Sequence, residues 1–168
     1  GLVALALNRV ARFYVDLGRA SSSRPALRAA LAAAKRLADR GAEAEALRLL
    51  TAYYRDAGHY RKALACCEHA LGLVGTETGA LKQRGTLLIQ RGILLRQMGR
   101  LRESIQTYAE ALVIYRRAAI KRLESQTLNN MGFAAAALGA LADAIGLYRQ
   151  SIALDQETGD RYQLGIKL

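Results

Sequence analysis

The chain has 168 residues, a net charge of +11 and a hydrophobic content of 52%. Ala and Leu predominate and there is a single Pro, which favours helix almost everywhere because Ala and Leu rank highest in helix propensity and Pro breaks helices. No apolar run approaches the ~18 residues that a membrane span requires, so no membrane association is predicted.

The positive charge is concentrated in two parts of the chain. Residues 1–40 and 81–120 each carry eight basic and two acidic side chains, whereas residues 41–80 and 121–168 are close to neutral. The charge is therefore not that of a basic tail. It makes an acidic protein segment or a nucleic acid a reasonable partner.

In chain order, the hydrophobic pattern predicts alternating first and second helices joined by short turns. First helices are predicted near residues 3–17, 43–57, 80–98, 120–138 and 160–168. Second helices are predicted near residues 24–38, 61–74, 102–118 and 142–155. The serines before Pro25 are expected to cap the earliest second helix, with Pro25 in its first turn.

Glycines recur where the first helices end. They are Gly18, Gly58, Gly99 and Gly139, at intervals of 40 or 41 residues. Around each one, a Leu lies eleven residues upstream, a small residue seven upstream and a bulkier residue nine downstream. A small residue lets two crossing helices approach while the bulky one fills the groove, and the turn Gly tolerates the positive φ of a C-cap. Each unit is thus predicted to be an antiparallel helix pair.

This order of Leu, small residue, aromatic residue (Tyr14 and Tyr54), turn Gly, Ala or Ser, Tyr and Ala resembles the tetratricopeptide repeat. The period near 40 and the missing Pro after each second helix resemble the long-repeat subclass of bacterial MalT/AfsR-type regulators and kinase-associated regions. The resemblance implies an all-α, right-handed α-solenoid of antiparallel helix pairs, in a fragment of a longer protein. Its units would lie at about residues 1–40, 41–79, 80–119 and 120–158, with a partial fifth at 159–168.

Catalytic and phosphate-binding motifs are missing from the sequence, so neither an enzyme activity nor a cofactor is predicted. Cys66, Cys67 and His69 could in principle hold a metal. However, Cys67 occupies the bulky packing position of its unit, and a buried Cys behaves as a small hydrophobe, so no metal site is predicted. Adjacent helical cysteines do not suit a disulfide, which favours a reducing cytoplasm.

The exposed face of the first helices is the predicted binding surface, since the resemblance implies that these helices line a concave groove. The predicted contacts are Asn8, Arg12, Arg48, Arg55, Gln90, Arg96, Asn129 and Asn130. The arginines would form a cationic floor, and the asparagines could pair with an extended peptide backbone as donor and acceptor. Alternatively, each Arg is simply solvated, or Arg55 pairs with Glu45 or Asp56.

The sequence therefore predicts a non-catalytic protein–protein interaction scaffold, whose groove binds an extended or acidic peptide within a bacterial signalling or regulatory protein. One alternative is a basic helical repeat that binds nucleic acid, although the surface positions differ between units and few aromatic residues remain for stacking. Another is an architectural module that self-associates through its exposed ends.

Overall fold

The computed structural model describes residues 20–159 together with Leu2, Leu5, Ala6, Asn8 and Arg9, all five of which are helical. Between residues 20 and 159 there are seven α-helices and no strand. They are α1 (Ala20–Arg36), α2 (Arg40–Asp56), α3 (Tyr60–Leu73), α4 (Leu81–Gln97), α5 (Leu101–Arg117), α6 (Lys121–Ala137) and α7 (Leu141–Thr158). A short 3-10 helix, Thr78–Ala80, precedes α4.

The chain forms two compact units, residues 1–76 and 77–168. In the first unit α2 packs between α1 and α3, and in the second each of α4 to α7 packs on its neighbours in sequence. Helix α4 also contacts α6, so the first helices of these two pairs lie side by side. The predicted all-α architecture of stacked helix pairs is confirmed, while the division into units of about 40 residues stays a prediction.

The predicted helix bounds agree closely with α2 to α6, each of which begins and ends within three residues of its expected position. The prediction for the start of α1 is wrong, because Ala20–Ser23 are already helical and Pro25 lies inside the helix. The apolar stripe that contains Leu27 and Ala30, both fully buried, holds this helix against α2 despite the lost backbone hydrogen bond. Residues 10–17 of the predicted helix 3–17, the predicted cap Gly18 and the predicted helix 160–168 lie outside the described residues.

Two kinds of turn join the helices. Gly58, Gly99 and Gly139 end α2, α4 and α6 with φ of 73°, 77° and 86°, which confirms their predicted role as C-caps. Ala38 and Ala119 take the equivalent place after α1 and α5, with φ of 51° and 52°. In all five turns the next amide donates to the carbonyl five residues before it, at 2.8 to 3.0 Å. An Ala in this conformation costs about 1 kcal/mol, so packing of the helices must hold it.

Glycines inside the first helices seat the tyrosines of the second helices. A Cβ added at Gly92 would lie 2.3 Å from Cε1 of Tyr108, and one at Gly132 would lie 2.6 Å from Cε1 of Tyr148. Ser104 adds a hydrogen bond of 2.8 Å from its hydroxyl to the Gly92 carbonyl. The predicted pairing of a small with a bulky residue at the helix crossing is therefore confirmed.

A second crossing in each pair uses different chemistry. Gly85 admits the buried ring of Tyr115, whose Cζ would lie 2.7 Å from an added Cβ. Forty residues later, the same two positions hold Ser125 and Asp155, which are buried and hydrogen-bonded to each other. The Ser151 hydroxyl lies 2.9 Å from that of Ser125. Because buried polar groups need partners, this network specifies the α6–α7 pairing as closely as the Gly–Tyr contact specifies α4–α5.

Replacement of Gly92 by Ala tests the close crossing. We expect Gly92→Ala to lower the free energy of unfolding by about 1–2 kcal/mol, because its methyl group must displace the fully buried Tyr108 ring. Gly146→Ala in α7 is the matched control. Its Cβ would meet nothing within 4 Å, so the better helix propensity of Ala should raise stability by up to about 1 kcal/mol. Urea unfolding followed by circular dichroism measures both, and effects of the same sign would contradict this explanation.

Candidate functional site

In the first unit, two of the predicted arginines are engaged by acidic neighbours. Arg48 makes a two-pronged ion pair with Glu45, with nitrogen–oxygen distances of 2.8 and 2.9 Å. The Nε of Arg55 donates to the Asp56 carboxylate at 2.9 Å, a pairing that the sequence had allowed for. Arg12 lies outside the described residues. Arg48 and Arg55 are therefore already paired with carboxylates of the same helix.

Asn8 has a structural contact instead of the exposed position that the sequence predicted. It is 4% exposed, and its Nδ2 donates to the carbonyl of Ala42 at 3.1 Å. It also lines a cavity of about 420 Å³ together with Leu2 and Leu5. Asn8 thus attaches the preceding helical residues to the start of α2, a contact that depends on which helix lies opposite and that the local sequence does not indicate.

In the second unit, the predicted contacts lie on the adjacent first helices α4 and α6. Gln90, Arg96, Asn129 and Asn130 are all partly exposed, and Gln90 and Asn130 occupy equivalent positions forty residues apart. Two apolar residues, also in equivalent positions, lie one turn beyond them. We call this set the α4–α6 surface: Gln90, Ile93, Arg96, Asn129, Asn130 and Phe133.

Polar atoms of the α4–α6 surface lack partners within the described part of the chain. Oε1 of Gln90 and Nε of Arg96 are inaccessible to solvent and make no hydrogen bond there. The side chains of Asn129 and Asn130 likewise have no hydrogen bond to another described residue. A buried polar group left without a partner costs about 1–3 kcal/mol. Because Gln90 and Arg96 are themselves partly exposed, a change of side-chain rotamer would bring these atoms within reach of water or of a ligand that can pair with them.

Tyr148 connects the cation of α4 with an exposed ring of α6. Burial raises the pKa of Tyr148, and the positive charge of the nearby Arg96 opposes that rise. The Phe133 ring is 51% exposed and lies edge-to-face on Tyr148, with ring centroids 5.7 Å apart. Tyr148 is the bulky residue nine positions after its turn Gly, which the repeat pattern predicts to fill the groove at a helix crossing, but it is only half-buried and contributes to this surface. The sequence did contain a signal for this surface, because one repeat position holds Ile93 in α4 and the aromatic Phe133 in α6.

The helices that carry this surface present mostly positive charge. Together α4 and α6 contain six basic side chains and one acidic side chain, and α4 contains no acidic residue. The single acidic residue, Glu124, accepts a hydrogen bond of 2.8 Å from Arg116 of α5. Electrostatics therefore favour an anionic over a cationic ligand at the α4–α6 surface.

The described residues give little support to metal binding, to a reactive thiol or to a membrane span. They contain no group of three His, Cys, Asp or Glu side chains that could hold a metal ion. Cys67 is fully buried, in keeping with its packing position, and burial raises the pKa of the Cys66 thiol, which lowers its reactivity. None of the described helices is long and apolar enough to cross a bilayer.

The repeat pattern also defines the family. The tetratricopeptide repeat family matches residues 2–74 and 83–157. This chain is a tetratricopeptide repeat protein. No curated protein sequence matches it at a significant level.

Solved structures share the fold of this tetratricopeptide repeat protein at low identity. Aspartyl phosphate phosphatase F from Bacillus subtilis superposes with a TM-score of 0.88 at 16% identity, over 98% of this chain and 43% of that one. A signal transduction ATPase with numerous domains, which has a tetratricopeptide repeat sensor and comes from Pyrococcus horikoshii, gives 0.86 at 18% identity, over 98% and 25%. BtubC from P. vanneervenii gives 0.78 at 20% identity, over 90% and 61%. The chain spans less than two thirds of each, and these similarities show the fold alone.

The buried tyrosines of the second unit predict a loss of stability in alkali. Burial raises the pKa of Tyr108 and of Tyr115 above the ordinary value of 10.0, with smaller opposing effects from neighbouring hydroxyl groups and, for Tyr108, Arg96. The unfolded chain ionises these phenols near 10.0, whereas the folded protein keeps them neutral. The free energy of unfolding should therefore fall as the pH rises through and above that value.

The measurement is a set of urea unfolding curves at pH values on both sides of 10.0. The double variant Tyr108→Phe/Tyr115→Phe keeps both rings and removes both ionisable groups, so its stability should fall less steeply with pH. All other titrating groups are common to the two proteins. An identical slope in the variant would show that these phenols do not cause the loss.

Proposed function

We propose that this protein is a non-catalytic protein–protein interaction module and that its α4–α6 surface binds an extended, acidic segment of a partner protein. The observation that carries the proposal is a pair of buried atoms on one helix, Oε1 of Gln90 and Nε of Arg96, which have no hydrogen-bond partner within the described part of the chain. One is an acceptor and the other a charged donor, so a peptide amide and a carboxylate would satisfy them together.

The neighbouring asparagines extend this mode of recognition. An extended peptide exposes its backbone N–H and C=O groups, and a carboxamide such as Asn130 or Gln90 can donate to one and accept from the other. Contacts of this kind hold the backbone with little regard to side chains. The choice of an acidic segment would then come from Arg96, whose planar guanidinium matches a carboxylate.

We further propose that the chain is the sensing or adaptor part of a larger bacterial signalling protein of the long-repeat subclass, acting in the cytoplasm. The fold similarity to an aspartyl phosphate phosphatase and to a signal transduction ATPase with a repeat sensor supports this role by analogy. The thiols of Cys66 and Cys67 are compatible with a reducing compartment.

A second candidate function is the binding of single-stranded nucleic acid, favoured by the net charge of +11. The two functions differ in what they require of the α4–α6 surface. Peptide recognition depends on Arg96 and the carboxamides at defined positions, whereas binding of a polyanion depends on the total charge and tolerates its redistribution.

The test is fluorescence anisotropy with a labelled peptide of alternating Glu and Gly residues, over a series of salt concentrations. Binding should weaken as salt rises. Arg96→Glu should weaken it by about five-fold, since reversal of one partly exposed charge is worth about 1 kcal/mol. Arg149→Glu makes the same charge change at an exposed position of α7 and should have a much smaller effect.

The outcomes separate the two functions. Equal losses in Arg96→Glu and Arg149→Glu would mean that net charge alone binds the peptide, which contradicts a defined groove. Tighter binding of single-stranded RNA than of the peptide at physiological salt, with no dependence on Arg96, would favour the second candidate.

A further inference from the structure

We infer that the segment bound at the α4–α6 surface carries a large apolar or aromatic side chain next to its acidic residue, with the apolar side chain packed on Phe133 and the carboxylate at Arg96. This inference rests on the proposed function and adds the side-chain class that the partner must supply. It follows from the way that one tyrosine places these two side chains together.

Phe133 is an exposed ring on a fixed support. Half of its surface is accessible, and its edge-to-face contact with Tyr148 sets the orientation of the ring. Tyr148 in turn is seated on Gly132, where even a methyl group would clash with it. A ring held in this way loses little conformational entropy when a ligand covers it, so its burial contributes directly to affinity.

The cation lies on α4, which packs beside the helix that carries Phe133. Arg96 is close enough for its charge to act on Tyr148, so the guanidinium and the Phe133 platform have a common neighbour. In α6, the position equivalent to Arg96 holds Ala136, so the residue one turn after Phe133 has a short side chain. An apolar side chain on Phe133 and an adjacent carboxylate at Arg96 would therefore fit one short segment.

The two most exposed of the other large apolar residues in the second unit have a different explanation. Leu141 and Ile145 of α7 occupy the positions that Leu101 and Ile105 hold in α5, which are only partly exposed in the presence of α6. They follow the spacing of one helix face and belong to the surface through which the repeats stack. Phe133 instead lies on a first helix, one turn after the partly exposed carboxamide of Asn130.

Selection of short random peptides displayed on phage against the immobilised wild-type chain tests the inference. Enriched sequences should combine Asp or Glu with Phe, Trp, Tyr or Leu at close spacing. For synthetic peptides of the selected sequences, Phe133→Ala should weaken binding by about ten-fold, as expected for the loss of a partly buried aromatic contact. Phe133→Leu should retain most of the affinity because it keeps an apolar surface.

Val113→Ala is the matched control, since Val113 is 49% exposed on α5 and lies outside the α4–α6 surface. Circular dichroism of each variant establishes that the helices are intact. Selected peptides that are acidic, depend on Arg96 and ignore Phe133→Ala would overturn this inference and leave the proposed function standing. Peptides that depend on neither residue, or the failure of any sequence to be enriched, would overturn both.

Discussion

The close crossing of paired helices at a glycine is the contact on which the second unit depends. Without a Cβ at Gly92 and Gly132, the backbones of α4 and α6 receive the rings of Tyr108 and Tyr148 at distances that no other residue would allow. An aromatic ring buries a large apolar area, so each crossing contributes strongly to stability while it also fixes the angle of the helix pair. The helices alone, with their Ala-rich faces, would pack with much less specificity.

The same crossing connects stability with recognition. Tyr108 is fully buried in the core, whereas Tyr148, at the equivalent position, is half-buried and supports the exposed ring of Phe133. A residue type required by the fold thus positions the surface that we propose for binding. The residue types at the neighbouring crossing also differ between repeats. Gly85 packs on Tyr115 in one repeat, and Ser125 is hydrogen-bonded to Asp155 at the same positions forty residues later. The repeat conserves complementarity at a crossing while the chemistry changes.

Local pairing decides which cations remain available. Arg55 is equivalent to Arg96 in the repeat pattern, yet Asp56 lies beside it and pairs with it. Arg48, in the same helix, is paired with Glu45. In α4 no acidic residue lies anywhere along the helix. A ligand carboxylate at α2 would have to displace an acidic partner, whereas Arg96 has no ion pair with an acidic residue in the described part of the chain. The two units of one chain therefore differ in the electrostatic property that matters most for an acidic partner.

The sequence by itself determined the helix pairs, their bounds in α2 to α6 and the glycine caps at Gly58, Gly99 and Gly139, because periodicity and positive φ are local properties. It did not reveal the turns at Ala38 and Ala119, where tertiary packing holds an alanine in a conformation that glycine prefers. Only the tertiary structure decided that Asn8 is buried and that Tyr148 is partly exposed, and only it showed which arginines are paired. Those outcomes depend on the residue that lies opposite, which helical spacing cannot specify.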